Sequence, residues 1–341
     1  MPLVPYLERV TAREDLDAAA AEAAMQIILR GEANPAQIAG LLMALRTKGE
    51  TVEELVGFAR AMRAMATTVT HGIEGEAVLD TCGTGGDGAC TFNISTVAAF
   101  VVAGAGVRVA KHGNRAVTSK CGGSADLLEL LGIDIGFTPE QAARAIREVG
   151  IGFLFAPAVH TAMNHAGPVR RELRVHSVFN LLGPLTNPAG ATAQVVGAPS
   201  LRAARLIAGA LAALGLSRGF VVHGSDGLDE ITTTGTTAVF EIRNGGVEVR
   251  TLEPADFGLR RATPEDLKGG DPARNAEIAQ AILAGNPGPQ RDIVLVNAAA
   301  ALVAAGKVAT FLEGMAVAVV SIDSGAARGK VEALARFTRG A

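Results

Sequence analysis

The stretch Asp80-Thr81-Cys82-Gly83-Thr84-Gly85-Gly86-Asp87-Gly88, followed after two residues by Thr91-Phe92-Asn93-Ile94-Ser95-Thr96, decides how this chain is read. A short apolar run, residues 77–79, precedes it, and a longer helical run, residues 95–105, follows it. The pattern predicts strand, glycine-rich loop and helix in succession. Glycines let backbone N–H groups converge on an anion without side-chain obstruction. The following helix start adds partial positive charge, and Ser95 and Thr96 add hydroxyls. Gly83 to Gly88 matches G-x-G-x-x-G by letter, but a dinucleotide site would open its helix within the motif and place an acid about 20 residues on. Here the next strand ends in Lys111-His112, and Asp87 would repel a pyrophosphate unless a cation intervened. The P-loop pattern is absent.

Downstream, short β-type runs at 107–110, 152–155, 195–197, 219–223 and 239–242 alternate with helical stretches such as 139–149 and 201–214. Alternation of this kind predicts an α/β domain with a central, mostly parallel sheet, whose ligand sites lie on loops beyond the carboxyl ends of the strands. Upstream, the first 67 or so residues read as helices. One spans about 15–30 and stops at Gly31. A second is capped by Asn34, with Pro35 and Gln37 in its first turn. A third opens on the capping box Thr51-x-x-Glu54. Their apolar stripes, near Leu41 and Phe58, suit core packing or a dimer interface. The expected organisation is a small N-terminal helical domain, 1–70, joined by a helical segment near 160–185, and a large α/β domain, 71–341.

The 341 residues can bury a core without staples, and a net charge of −3 argues against a broad nucleic-acid face. The three cysteines, Cys82, Cys90 and Cys121, form neither a C-x-x-C pair nor a disulfide framework, and two read as small fillers in glycine-rich loops. No signal peptide is evident at the start. The longest apolar run, 97–107, is too short for a membrane span, so a cytoplasmic protein is expected.

A second loop, Lys111-His112-Gly113-Asn114-Arg115-Ala116-Val117-Thr118-Ser119-Lys120-Cys121-Gly122-Gly123-Ser124, carries three lysine or arginine cations, hydroxyls and three glycines. That composition suits a polyphosphate. With it, the chain resembles the anthranilate phosphoribosyltransferases. The matching blocks are Gly83 to Asp87, Thr91 to Thr96, Lys111 to Arg115, Phe153-Leu154-Phe155-Ala156-Pro157 with His160, Pro168-Val169-Arg170, Phe179 to Pro188, and His223 to Glu230, in family order over nearly the whole chain.

The resemblance implies a nucleoside phosphorylase/phosphoribosyltransferase-like fold and a homodimer built through the N-terminal helices. It also implies Mg²⁺-dependent transfer of phosphoribose from phosphoribosyl pyrophosphate (PRPP) to anthranilate. Gly83, Gly86, Asp87, Thr91, Asn93, Ile94, Ser95, Thr96, Lys111, His112, Gly113, Asn114, Arg115, Ala116, Val117, Thr118, Ser119 and Gly123 would contact PRPP. Ser95, Asp229 and Glu230 would hold Mg²⁺, a cation that prefers hard oxygen ligands. Arg170 would face the anthranilate carboxylate, with Gly83, Asn114, His112, His160 and Pro184 lining its place. Catalysis would come from positioning and charge stabilisation, without a covalent intermediate.

A pyrimidine nucleoside phosphorylase or a non-catalytic nucleic-acid-binding relative would share the fold, but Arg170 and the Asp229-Glu230 pair speak against the first. The second should be basic. Two departures from the family pattern stand out. Arg174 and His176 replace a glycine and an arginine, and Gly122-Gly123 adds one glycine before Ser124.

Overall fold

The computed structural model describes residues 2–115 and 121–340. Four helices open the chain: α1 (Val4–Thr11), α2 (Ala18–Leu29), α3 (Pro35–Lys48) and α4 (Val52–Met65). Both expected N-terminal boxes form. The Asn34 side chain accepts from the Gln37 N–H at 2.9 Å, and Thr51 Oγ1 accepts from the Glu54 N–H at 3.2 Å. Glu54 is wholly buried, yet it accepts the Leu16 and Thr51 N–H groups and pairs with Lys48 at 3.1 Å. A buried carboxylate is tolerated where its lone pairs are filled in this way.

Leu41 and Phe58 lie inside this bundle, 1% and 0% exposed. Core packing within one chain uses these two residues, one of the two roles that their apolar stripes suit.

The α/β part follows: β1 (Val78–Gly83), α5 (Ile94–Gly104), β2 (Arg108–Gly113), α6 (Ser124–Leu130), α7 (Pro139–Glu148) and β3 (Ile151–Phe155). The chain then returns to the helical layer through α8 (Ala156–Val159), α9 (Gly167–Leu173) and α10 (Phe179–Leu182). It continues as β4 (Ala193–Gly197), α11 (Leu201–Ala213), β5 (Arg218–Gly224), β6 (Thr237–Arg243) and β7 (Gly246–Leu252). The last four helices are α12 (Pro272–Leu283), α13 (Pro289–Ala304), α14 (Phe311–Asp323) and α15 (Ala326–Gly340).

The seven strands are ordered β3-β2-β1-β4-β5-β6-β7. The first five are parallel, and β6 and β7 are antiparallel additions at one edge. Connections from β1 run outward to β2 and β3, then switch to β4 on its other side. A crevice therefore opens between the carboxyl ends of β1 and β4, where such sheets bind ligands.

One face of the sheet packs on α5, α13, α14 and α15. Residues 293–304 of α13 are buried all round, as a central core helix requires. On the other face, one apolar cluster joins α1 to α4, residues 166–185, α11 and the sheet residues Val196, Val221 and Phe240. The return segment thus ties the bundle to the sheet. No helix among the described residues is long and apolar enough to cross a membrane.

Candidate active site

The loop after β1 has the left-handed backbone its composition demands. Gly85, Gly86 and Gly88 sit at φ +67°, +87° and +72°, where a side chain would be strained. Phe92 and Ile94 anchor the far end of the loop in the core. No side chain caps the start of α5 at Asn93. Instead the Ser95 N–H donates to Glu230 Oε1 at 3.1 Å, so a carboxylate already occupies the positive end of that helix.

Glu230 arrives with Asp229 on the loop after β5. Room for Asp229 is made by two glycines. A Cβ on Gly83 would lie 2.4 Å from Asp229 Oδ2, and one on Gly197 would lie 1.6 Å from the Asp229 carbonyl oxygen. Asp229 Oδ2 accepts the Gly85 N–H at 2.9 Å. Burial, reinforced by Asp87, pushes the Asp229 carboxyl up to about 7. Burial and then Asp229 raise Glu230 well above the ordinary range, against the pull of Lys111. Three acids therefore crowd one place beside the phosphate-type loop, and burial pushes two of them, Asp229 and Glu230, toward the neutral form.

Lys111 is buried, and its ammonium donates to the Thr81 carbonyl. Burial lowers its pKa, and Asp80 opposes that most. Asp80, fully buried, accepts from the His112 N–H at 3.1 Å and from Asn187 Nδ2 at 2.8 Å. The same Asn187 amide donates to the Ala110 carbonyl. Asp80 and Asn187 thus lock the end of β2, and with it Lys111 and His112. Sequence reading gave neither residue a role, although the position of Asp80 at the strand end before the glycines is a signal that could have found it.

Arg115 turns away from the loops, with its guanidinium paired to Glu129 at 2.6 Å and Asp126 at 3.0 Å on α6. The Asn114 side chain accepts the Arg115 N–H, and its carbonyl accepts Ser124 Oγ. Gly123 N–H donates to Asp126 at 2.7 Å. Thr91 forms a bridge to Lys268, Thr96 is buried, and Gly113 ends β2. The expected contacts Ala116, Val117, Thr118 and Ser119 lie outside the described residues.

Cys90 and Cys121 are disulfide-bonded, with Cα atoms 5.8 Å apart. This corrects the sequence expectation of no disulfide. A gap of 31 residues says nothing about the approach of two loops that successive parallel strands bring side by side. Cys82 remains a buried thiol, its pKa raised by burial.

Beyond β2, His112 and His160 meet edge to face with ring centroids 5.1 Å apart. His112 Nδ1 lies 3.3 Å from the Gly183 carbonyl, next to buried Pro184. A carbonyl only accepts, so Nδ1 carries the proton and Nε2 is left as an acceptor. Among the described residues, the Nε2 atoms of both rings are buried without a hydrogen-bond partner. Burial lowers His112 to about 4. Burial, together with His112, lowers His160 to about 3, so both rings are neutral near pH 7.

Arg170 on α9 stacks its guanidinium 5.1 Å above the Phe179 ring. It forms no ion pair among the described residues, and burial lowers its pKa. Arg174, at the end of α9, takes the left-handed conformation, φ +52°. His176 lies against the glycine loop, 2.6 Å from where a Gly86 Cβ would sit. A cavity of about 460 Å³ lined by Arg218, Glu241, Arg250 and Phe311 opens at the amino-terminal end of β5, away from all of these groups.

Residues 75–328 match the model of the glycosyl transferase family, a/b domain, and residues 4–66 match its helical bundle domain. An anthranilate phosphoribosyltransferase of Solibacter usitatus is 74% identical over 337 residues, covering 99% of each chain. The crystal structure of anthranilate phosphoribosyltransferase from Thermus thermophilus superimposes with a TM-score of 0.92 at 45% identity, covering 99% of this chain and 100% of that one. The Saccharomyces cerevisiae anthranilate phosphoribosyltransferase in complex with PRPP and Mg gives 0.91 at 29% identity, covering 99% and 98%.

Proposed function

This chain belongs to the anthranilate phosphoribosyltransferase family, and on that premise we propose how its residues carry phosphoribose from PRPP to the amine of anthranilate, releasing pyrophosphate. The observation that carries the reading is the meeting of an anion-type loop with a buried, proton-raised acid pair at the sheet's switch point. A cation with a phosphate ligand would satisfy both.

Asp229 and Glu230, with Ser95, supply hard oxygens suited to Mg²⁺. The described residues contain no group of three or more His, Cys, Asp or Glu side chains able to hold a metal by themselves. The remaining ligands would be phosphate oxygens and water, as Mg²⁺ commonly keeps. Bound there, the ion would neutralise charge building on the departing pyrophosphate.

Loop N–H groups between Gly83 and Gly88 other than that of Gly85, which Asp229 takes, hold the diphosphate and orient the ribose, while the buried Lys111 ammonium behind the loop offsets its charge. Asn93, Ser95 and Asn114 contribute polar contacts. Arg170 pairs with the anthranilate carboxylate, a planar match for a guanidinium. His112 and His160, both neutral, back the aromatic ring's place with uncharged rings. That amine is already uncharged near pH 7, so its attack needs placement more than a base.

We read the enzyme as a cytoplasmic homodimer, which light scattering would test by a mass twice that of the chain. Loss of anthranilate fluorescence that requires both PRPP and Mg²⁺, with pyrophosphate release, is the expected result for the reaction. Folded protein that leaves anthranilate unchanged would refute it.

A further inference from the structure

We propose that Cys90 and Cys121 form a redox modification site that couples disulfide chemistry to PRPP binding. The inference rests on the reading of the two loops as the PRPP cradle. Cys90 lies two residues beyond Gly88, and Cys121 immediately precedes Gly122-Gly123, so their bond ties the first loop to the second. Their Cα separation of 5.8 Å falls in the ordinary disulfide range.

Hydrogen bonds from one neighbouring segment also hold both cysteine backbones. The Gly269 N–H donates to the Cys90 carbonyl at 3.1 Å, and Asn275 Nδ2 donates to the Cys121 carbonyl at 2.8 Å. Asn275 also accepts the Gly270 N–H at 2.9 Å, so one segment leading into α12 anchors both cysteine backbones. Reduction keeps these hydrogen bonds but removes the covalent tie, so Cys90 and Cys121 regain freedom that PRPP binding must take away.

Cys90 is exposed and Cys121 is buried, 6% accessible. That asymmetry assigns the roles. The Cys90 thiolate attacks a small disulfide such as oxidised glutathione, giving a mixed disulfide and one released thiol. The Cys121 thiolate then attacks Cys90 Sγ, forming the internal bond and expelling the second thiol. Two protons leave with the two thiol products, and the oxidant gains the two electrons lost by the pair. Excess reduced thiol runs both steps backward. Holding the loops in place before ligand arrives removes part of the ordering cost of binding, so the oxidised form binds PRPP more tightly.

The test compares full-length enzyme equilibrated with oxidised glutathione or with dithiothreitol. Thiols titrated under denaturing conditions should fall from the chain's three to one, that of Cys82. PRPP affinity, by calorimetry with Mg²⁺ present, should be about threefold to tenfold higher in the oxidised form, an estimate from the ordering cost of a few side chains. Cys90→Ser should match the reduced wild type under both conditions. A thiol count that stays at three, or equal or weaker affinity in the oxidised form, overturns the proposal. If Asn93→Ala leaves PRPP affinity unchanged, the loop reading itself has failed. If Asn93→Ala weakens binding but oxidation has no effect, only the redox coupling has failed.

Discussion

Replacing Gly197 by alanine tests whether the acid pair is placed by the sheet. Gly197 ends β4, pairs with Gly83 of β1, and has a backbone that any residue can adopt. The obstacle is space. A Cβ there would sit 1.6 Å from the Asp229 carbonyl oxygen and 2.5 Å from its carbon. Ordinary contact begins near 3.4 Å, so the two backbones must part by about 1.8 Å. The Asp229–Gly85 and Glu230–Ser95 hydrogen bonds, at 2.9 and 3.1 Å, cannot survive such a shift unaltered. Overpacking of this kind costs about 1–3 kcal/mol of stability. Misplacing catalytic groups by about 1 Å can cost on the order of a hundredfold in rate. The assay is kcat/KM for PRPP over a Mg²⁺ titration, on protein shown to be folded by circular dichroism and urea melting. Gly329→Ala, where nothing lies within 4 Å of the new methyl, is the control. A roughly hundredfold loss with a raised Mg²⁺ requirement is expected. If Gly197→Ala stays within about threefold of wild type at an unchanged Mg²⁺ midpoint, the placement argument is wrong.

Further outcomes are expected. Asp229 titrates near 7, so Mg²⁺ must displace its proton at lower pH. Apparent Mg²⁺ affinity should weaken by at least about tenfold per unit below about pH 7, and in Asp229→Asn this slope should become shallower, leaving the share that Glu230 contributes. Arg170→Gln removes a charged hydrogen-bond partner valued at about 1.5–3 kcal/mol, raising KM for anthranilate about tenfold to a hundredfold while KM for PRPP holds. The depressed histidines stay neutral until about pH 4, so KM for anthranilate should be flat from about pH 8 to 5. The unfolded rings gain protons below about 6.5 while the folded ones do not, so their contribution to stability is lost as pH falls from there toward 4. A urea-melt series in which His112→Gln does not flatten that loss would contradict the assignment. Arg174→Gly relieves a left-handed side chain and should stabilise the protein by about 1 kcal/mol, read as a Tm rise of about 2–4 °C.

Legibility in the sequence followed locality. The Asn34 and Thr51 boxes involve residues three apart, and both formed as written. The glycine loop and the short parallel strands are also local patterns. One local signal went unused: Asn244-Gly245, at φ +51° and +77°, is a hairpin turn that announces β6–β7, including an edge strand whose first six residues are exposed and show no alternation. The Ala-rich helices after residue 270 carry weak periodicity because α13 is buried on every side. Arg115 shows a different limit. A count of cations in the loop cannot reveal that Asp126 and Glu129, a few turns of chain later, hold its guanidinium. Asp80 and the Cys90–Cys121 bond depend on strand order, which places distant residues together only after the sheet forms.

The acids at the switch point are held at a cost that the rest of the fold bears. Asp229 and Glu230 each have a backbone N–H partner, but they are buried together beside Asp87, and their raised pKa values express that cost. Gly83 and Gly197 leave the room the pair needs, since a Cβ at either would collide with Asp229. On the proposed function, a cation bound with PRPP would turn that repulsion into attraction. The same stored energy that lowers stability without ligand thus becomes preference for a charged, metal-bearing diphosphate over a neutral nucleoside. That preference is why the acid pair, more than the glycine loop, separates this chain from a phosphorylase built on the same sheet.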